Sequence, residues 1–296
     1  MNIFPKNRIF YSLEMNFYLF YIIHFTSNNV LKFIMKISYP QFQRIIWVSN
    51  IVIIHLIFSY YLLNGWWYSG IGTILIVLIT YLFNKDKFLK EIGLKIKPVS
   101  IMISISLGVI AVIGSFIIMK YIAAKANIGI QYTQYGNYIH DVFYTLNEEI
   151  ILGAVLLFGL SRLIKVHPFI ISAMVAAVFS IIHFMFYKWI FLQKGLILPE
   201  TLITLFLVGF FRNNLILKFR HIGFSWAFHF GWMAVMFGSY HFYYSSLIPL
   251  NEPERFNFYL GSLVMFVIAM ILAMVSVIIF YDRCQVFKCL RIKNKD

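Results

Sequence analysis

Long apolar stretches separated by short basic ones constrain this chain more than any motif. A helix that crosses a bilayer needs roughly 20 mostly apolar residues. Stretches of that kind fall at residues 45–63, 67–83, 100–122, 139–163, 168–191, 197–217, 223–248 and 259–281. The chain is 61% hydrophobic and only 12% charged, where soluble domains run at roughly 45–50% and 25%. So much apolar surface needs lipid as part of its solvent. The expected fold is all-α: a polytopic membrane helix bundle of about eight transmembrane helices over residues 45–281. A cytosolic N-terminal segment, 1–44, precedes it and a basic cytosolic tail, 282–296, follows it.

The formal charge of +14 is read against the same background. Basic residues gather at 32–44, 85–97, 162–165, 218–220 and 283–295, whereas the opposite side carries Lys120, Lys125, Lys188, Lys194 and Arg255. Positive charge marks the cytosolic side, so both termini are expected there. The bilayer and its anionic headgroups are then the partners of this charge. No basic module stands apart from the apolar runs, which argues against nucleic-acid binding. Aromatic residues such as Trp66, Trp67, Tyr240 and Tyr243 fit an interfacial belt. The two cysteines, Cys284 and Cys289, read as free cytosolic thiols rather than a disulfide framework. The run from Met35 reads as a natural start before the first span. Abundant Ile, Phe, Asn and Lys fits an AT-rich genome and a multi-pass protein of a bacterial cell membrane.

Against this apolar background, ionisable residues inside the spans stand out. An acid at a helix centre costs at least roughly 2.5–3.5 kcal/mol on insertion scales. Of the 11 acidic residues, only Glu148 and Glu149 lie well inside an expected span. They are adjacent, so joint ionisation is resisted unless a cation or a set of donors compensates. His183 in the fifth span and His229 in the seventh complete a constellation drawn from three spans. His55, His241, His24, His140, His167 and His221 read as core, interfacial or loop histidines. Carboxylate and imidazole suit peptide hydrolysis: the first takes a proton from water, the second steadies the oxyanion. The same groups would also serve as a two-His, one-Glu zinc site with an open position, although the H-E-x-x-H spacing is absent. No G-x-S-x-G occurs and no Asp lies deep in a span, so Ser/His/Asp catalysis is not indicated.

At these residues the chain resembles the CAAX protease and bacteriocin-processing family, also called the abortive-infection or type II CAAX endopeptidase family. That family carries Glu-Glu-x-x-x-Arg, Phe-x-x-x-His and His-x-x-x-Asn on successive membrane helices. Here the first reads Glu148-Glu149-Ile-Ile-Leu-Gly153, the second is complete from Phe179 to His183, and the third reads His229-Phe-Gly-Trp-Met233. The segment Lys90-Glu-Ile-Gly-Leu-Lys95 resembles the family's stretch before its third helix. The resemblance implies Glu148 as the base that activates water, Glu149 as a supporting carboxylate, and His183 and His229 acting at the carbonyl. It implies a membrane-bound protein or peptide as substrate. The family has been viewed both as metal-dependent and as glutamate-based; the glutamate reading, with no required metal, is taken here.

Two positions depart from the pattern. An Arg one turn after Glu149 could cancel its charge; Gly153 cannot. The amide donor after His229 is replaced by Met233, and losing one oxyanion donor costs roughly 10²–10³ in rate. Arg212, Asn213 and Asn214 are candidates to stand in, though Arg212 also reads as a cationic helix end beside Lys218. Two other classes stay open. One is a catalytically weakened relative that acts by binding, for instance in immunity. The other is a proton-coupled transporter using the Glu pair as a relay; the lack of an inverted repeat counts against it. One geometric tension follows from the spans. Counted from the cytosolic face, Glu148 and His183 lie deep, whereas His229 lies only about one or two turns in.

Overall fold

Backbone N–H and C=O groups have no partners in lipid, so apolar runs of this length must bond within themselves as helices. The computed structural model describes residues 39–61, 66–132, 138–164, 166–186, 197–243 and 250–280. The expectations at Met35, Cys284 and Cys289, the tail 282–296, most of segment 1–44, and the side chains of His24, His55, His140 and His241 therefore fall outside the described residues. The chain divides into two units, Met1–Ile46 and Trp47–Asp296. Of the first, the opening turns of α1 are described. All contacts that build the site lie within the second.

In chain order the elements are α1 (Tyr39–Tyr61), α2 (Trp66–Asn84), α3 (Phe88–Glu91) and α4 (Pro98–Ala126), then strand β1 (Gly129–Tyr132). Next come α5 (Tyr138–Glu148), a π-helical segment (Glu149–Val155) and α6 (Leu156–Leu163), which together make one continuous rod. Then follow α7 (Pro168–Phe186), α8 (Pro199–Phe219), α9 (Gly223–Met233), a second π-helical segment (Ala234–Ser239), strand β2 (Tyr240–Tyr243), α10 (Glu252–Leu260) and α11 (Leu263–Phe280). The described residues are overwhelmingly helical, as expected. The two short strands pair antiparallel, Gly129 opposite Tyr243 and Tyr132 opposite Tyr240; this small sheet was not expected.

Three described helices are long and apolar enough to cross a membrane in one piece: Pro98–Ala126, Asp141–Leu163 and Pro199–Phe219. A fourth results if Glu254–Leu260 and Leu263–Ile278, bent by 60°, form one span, and Pro168–His183 is apolar but shorter. The chain is a membrane protein on this ground. Its outward surface agrees. On α4, Met102, Ile105, Val109, Ile113 and Ile117 are all exposed, a stripe at helical spacing that suits contact with lipid. The expected seventh span, 223–248, is not one helix: α9 passes into the π-helical segment and then into β2. The expected eighth, 259–281, is bent at Gly261–Ser262. Its first limb opens with a capping box, the Glu254 N–H donating to Asn251 Oδ1 at 3.0 Å and the Asn251 N–H to Glu254 Oε2 at 2.8 Å.

α9 packs along α4, and α8 packs against both α7 and α11. Small residues set the first of these distances. A Cβ on Gly231 would lie 2.6 Å from the Gly108 carbonyl oxygen and 2.8 Å from Ala111 Cβ. Backbone cannot yield there as a flexible side chain would. Gly231→Ala is therefore expected to destabilise the protein by about 1–3 kcal/mol, read as a lower unfolding temperature in detergent.

A second close approach decides where α9 begins. Gly93 adopts a left-handed φ of 72°, and its would-be Cβ lies 2.8 Å from the Ile222 side chain and 3.1 Å from Ala154 Cβ. The Ile222 N–H donates to the Gly93 carbonyl at 2.9 Å. Only glycine combines that φ with that crowding. The loop after α3 is thereby seated beside Ala154, about 13 Å along the rod from Leu163 at the helical rise of about 1.5 Å per residue. It is anchored further by Arg162, whose Nη1 donates to both oxygens of Glu91 at 2.6 and 2.5 Å. α9 consequently starts well inside the bundle rather than at its end.

Candidate active site

That inner start removes the tension in depth. With Ile222 level with Ala154, two turns of α9 bring His229 to Glu149, and His229 Nδ1 lies 3.0 Å from Glu149 Oε1. A carboxylate oxygen accepts, so Nδ1 carries the hydrogen. On a helix, neighbouring residues point about 100° apart, so Glu148 and Glu149 meet different partners. Glu148 faces α7, where His183 Nε2 lies 3.6 Å from its Oε1. Glu149 faces α8 and α9. Both carboxylates are buried, as are both histidines.

The compensating cation is Arg212. It is 3% exposed, and its Nη1 lies 3.5 Å from the same Glu149 Oε1. Its reading as a solvated helix end is therefore corrected. The helix end is set by Lys218 and Arg220, while Arg212 sits within the bundle. Its guanidinium stacks on the Phe179 ring at 4.1 Å, and its Nη2 donates to Asn213 Oδ1 at 3.4 Å. A would-be Cβ on Gly209 lies 2.9 Å from Phe179 Cδ1, so glycine lets α8 approach α7 closely enough for this stack.

The space beside Gly153 is filled, not empty. A Cβ there would lie 2.7 Å from Ile216 Cδ1 and 3.6 Å from Glu149 Oε2. Ile216 is one turn from Arg212 on α8. The guanidinium missing from position 153 thus arrives from a different helix, with an isoleucine in the place its stem would take. Gly153→Arg is expected to lower folded yield and unfolding temperature rather than duplicate the charge pair. The triple change Gly153→Arg, Ile216→Ala, Arg212→Leu is expected to recover much of both.

Neither Asn213 nor Asn214 replaces the amide absent at Met233, which is buried in the main core. Asn213 Nδ2 donates to the Ser172 carbonyl at 2.9 Å and Asn214 Nδ2 to Ser276 Oγ at 2.8 Å. Both expected stand-ins are engaged elsewhere, although Asn213 helps orient Arg212.

Phe179 connects the two halves of the cluster. Its carbonyl lies 2.7 Å from His183 Nδ1 and its ring meets the His183 ring edge-on at 4.5 Å, while the same ring carries Arg212. His229 in turn stacks on Trp232 at 5.5 Å. Through Phe179 the two halves, Glu148 with His183 and Glu149 with His229 and Arg212, lie in one buried cluster. Both Glu148 oxygens, Glu149 Oε2 and Arg212 Nε are buried without a hydrogen-bond partner.

Among the described residues, no three His, Cys, Asp or Glu side chains converge as a metal site requires. The donors pair off, Glu148 with His183 and Glu149 with His229, and a guanidinium occupies the second pair. That arrangement does not fit the zinc alternative, which needs three protein ligands on one ion. Comparison of the chain with family models, curated proteins and solved structures gives no match. The site is therefore read from its own geometry.

Proposed function

We propose that this protein is an intramembrane endopeptidase of the CAAX-protease type, hydrolysing a peptide bond in a membrane-bound protein or peptide. In this reading it crosses a bacterial cell membrane eight times with both termini cytosolic. The observation that carries it is the facing of two acceptors at Glu148 and His183. The Phe179 carbonyl can only accept, so His183 Nδ1 is the donor of that bond, and in neutral imidazole Nε2 is left as an acceptor. A carboxylate oxygen lies 3.6 Å from it. A water that donates one hydrogen to each satisfies both and keeps its lone pairs free.

The chemistry follows from that position. The water oxygen attacks the substrate carbonyl carbon while its proton passes to Glu148. The carbonyl oxygen becomes an oxyanion, stabilised by the Arg212 guanidinium and, when its ring is doubly protonated so that Nε2 also donates, by His229. Glu149 holds both of these in place. On collapse the C–N bond breaks and the proton on Glu148 passes to the departing amine. Each group is used, and no net proton is gained or lost.

Membranes from cells producing the wild-type protein should contain new peptide termini, read by mass spectrometry. Glu148→Ala, His183→Ala and His229→Ala should each remove them at unchanged expression. New termini persisting in all three would remove the proposal. One observation favours the second reading, a binding or immunity role: neither Asn213 nor Asn214 takes the place of the missing Met233 amide. On that reading the same three changes leave the cellular phenotype intact.

A further inference from the structure

Beside the charged cluster lies a cavity of about 200 Å³, walled by α4, α8, α9 and the α10–α11 limb. Arg212 and His229 line it together with Ser115, Ser225 and Tyr259, and the rest of the lining is apolar, as at Ile110, Phe211 and Leu272. Two small residues stand in its walls. A Cβ on Gly114 would meet no heavy atom within 4 Å, and Ala269 lines it from α11. A cavity of roughly 150 Å³ holds benzene, whereas a whole drug-sized ligand fills about 300–1,000 Å³. The volume therefore suits one aromatic or branched aliphatic side chain, not a whole ligand.

The guanidinium asks for an acceptor. Arg212 is 3% exposed, its Nε has no hydrogen-bond partner, and the hydrogen bonds of its Nη1 and Nη2 are long, at 3.5 and 3.4 Å. A buried donor left unpaired is costly, and an incoming oxygen relieves it. Two carboxylates already lie in the cluster, so a neutral carbonyl is accepted more readily than another anion. An apolar volume lined by an under-satisfied guanidinium thus matches one residue of a peptide, with its side chain in the cavity and its carbonyl at Arg212.

We infer that this cavity is a specificity pocket for a single large apolar residue, the one contributing the carbonyl that lies against Arg212 and His229, with Gly114 and Ala269 setting the size accepted. The inference rests on the hydrolase reading for the role of that carbonyl. It places Phe-, Leu- or Met-like residues before the cleaved bond and excludes acidic ones.

The test uses the full-length protein in nanodiscs and short acetylated peptide amides, alanine throughout except for one photo-leucine. After irradiation the label is expected on residues 110–118 of α4 and 265–272 of α11. The Phe or Leu peptide should compete about tenfold or more better than the Ala or Asp peptide, the discrimination a few methylenes give in an apolar pocket. Gly114→Leu and Ala269→Leu should each cut labelling by a similar factor, with unfolding temperatures in detergent confirming folded protein. Label found elsewhere, equal competition by the Ala peptide, or full labelling in both variants overturns the pocket. Hydrolysis of the same peptides is followed in parallel. Cleavage with label elsewhere sinks the pocket alone, and the expected labelling without cleavage sinks the hydrolase reading while the pocket stands.

Discussion

Glu149→Gln is expected to destabilise the folded protein by about 3–5 kcal/mol, the usual effect of stranding one member of a buried ion pair. Glu149 is fully buried, and one of its oxygens takes both the His229 Nδ1–H and the Arg212 guanidinium. Glutamine keeps the shape but leaves Arg212 without the carboxylate it pairs with. The measurement is thermal or denaturant unfolding in detergent. The double change Glu149→Gln, Arg212→Met should recover most of the loss, because removing both charges of a buried pair is often close to neutral. A single variant as stable as the wild type would show that Arg212 draws its compensation from elsewhere.

Glu148→Gln is expected to behave in the opposite way, leaving stability nearly unchanged and lowering hydrolysis by about 10²–10⁴, the range for a positioned general base. Among the described residues no Lys or Arg pairs with Glu148, and His183 lies 3.6 Å from it. Glutamine fits the same space but cannot take a proton from water. The contrast between adjacent carboxylates is the discriminating result. If Glu148→Gln hydrolysed peptide at the wild-type rate, the base would have to be sought at Glu149 or at a histidine.

The apolar runs made helix and membrane legible, and the cost of charge in lipid singled out Glu148, Glu149, His183 and His229, which the fold brings together. Arg212 was half legible. The polar run Arg212-Asn213-Asn214 inside an apolar stretch marked it, but distance along the chain suggested a helix end. Depth in the bundle depends on where α9 starts, and that is fixed by the Gly93–Ile222–Ala154 contact, which no periodicity reveals. The π-helical segment, the bend at Gly261 and the two-stranded sheet were likewise beyond reach. Each depends on tertiary packing, whereas local apolarity reads as uninterrupted span.

Drawing the acid and its cation from separate helices also bears on how the protein is made. Glu149 and Arg212 are 63 positions apart. At about 5–20 residues per second the ribosome delivers the arginine some 3–13 s after the glutamate. For that interval the growing chain holds two acids without their counter-charge, each disfavoured in the lipid core by about 2.5–3.5 kcal/mol if ionised. The helix bearing Arg212 and two asparagines is a poor solitary guest for the same reason. Biogenesis is thus expected to be tied to assembly, with these segments leaving the insertion machinery stably as companions and the charge cluster complete once the last of them docks.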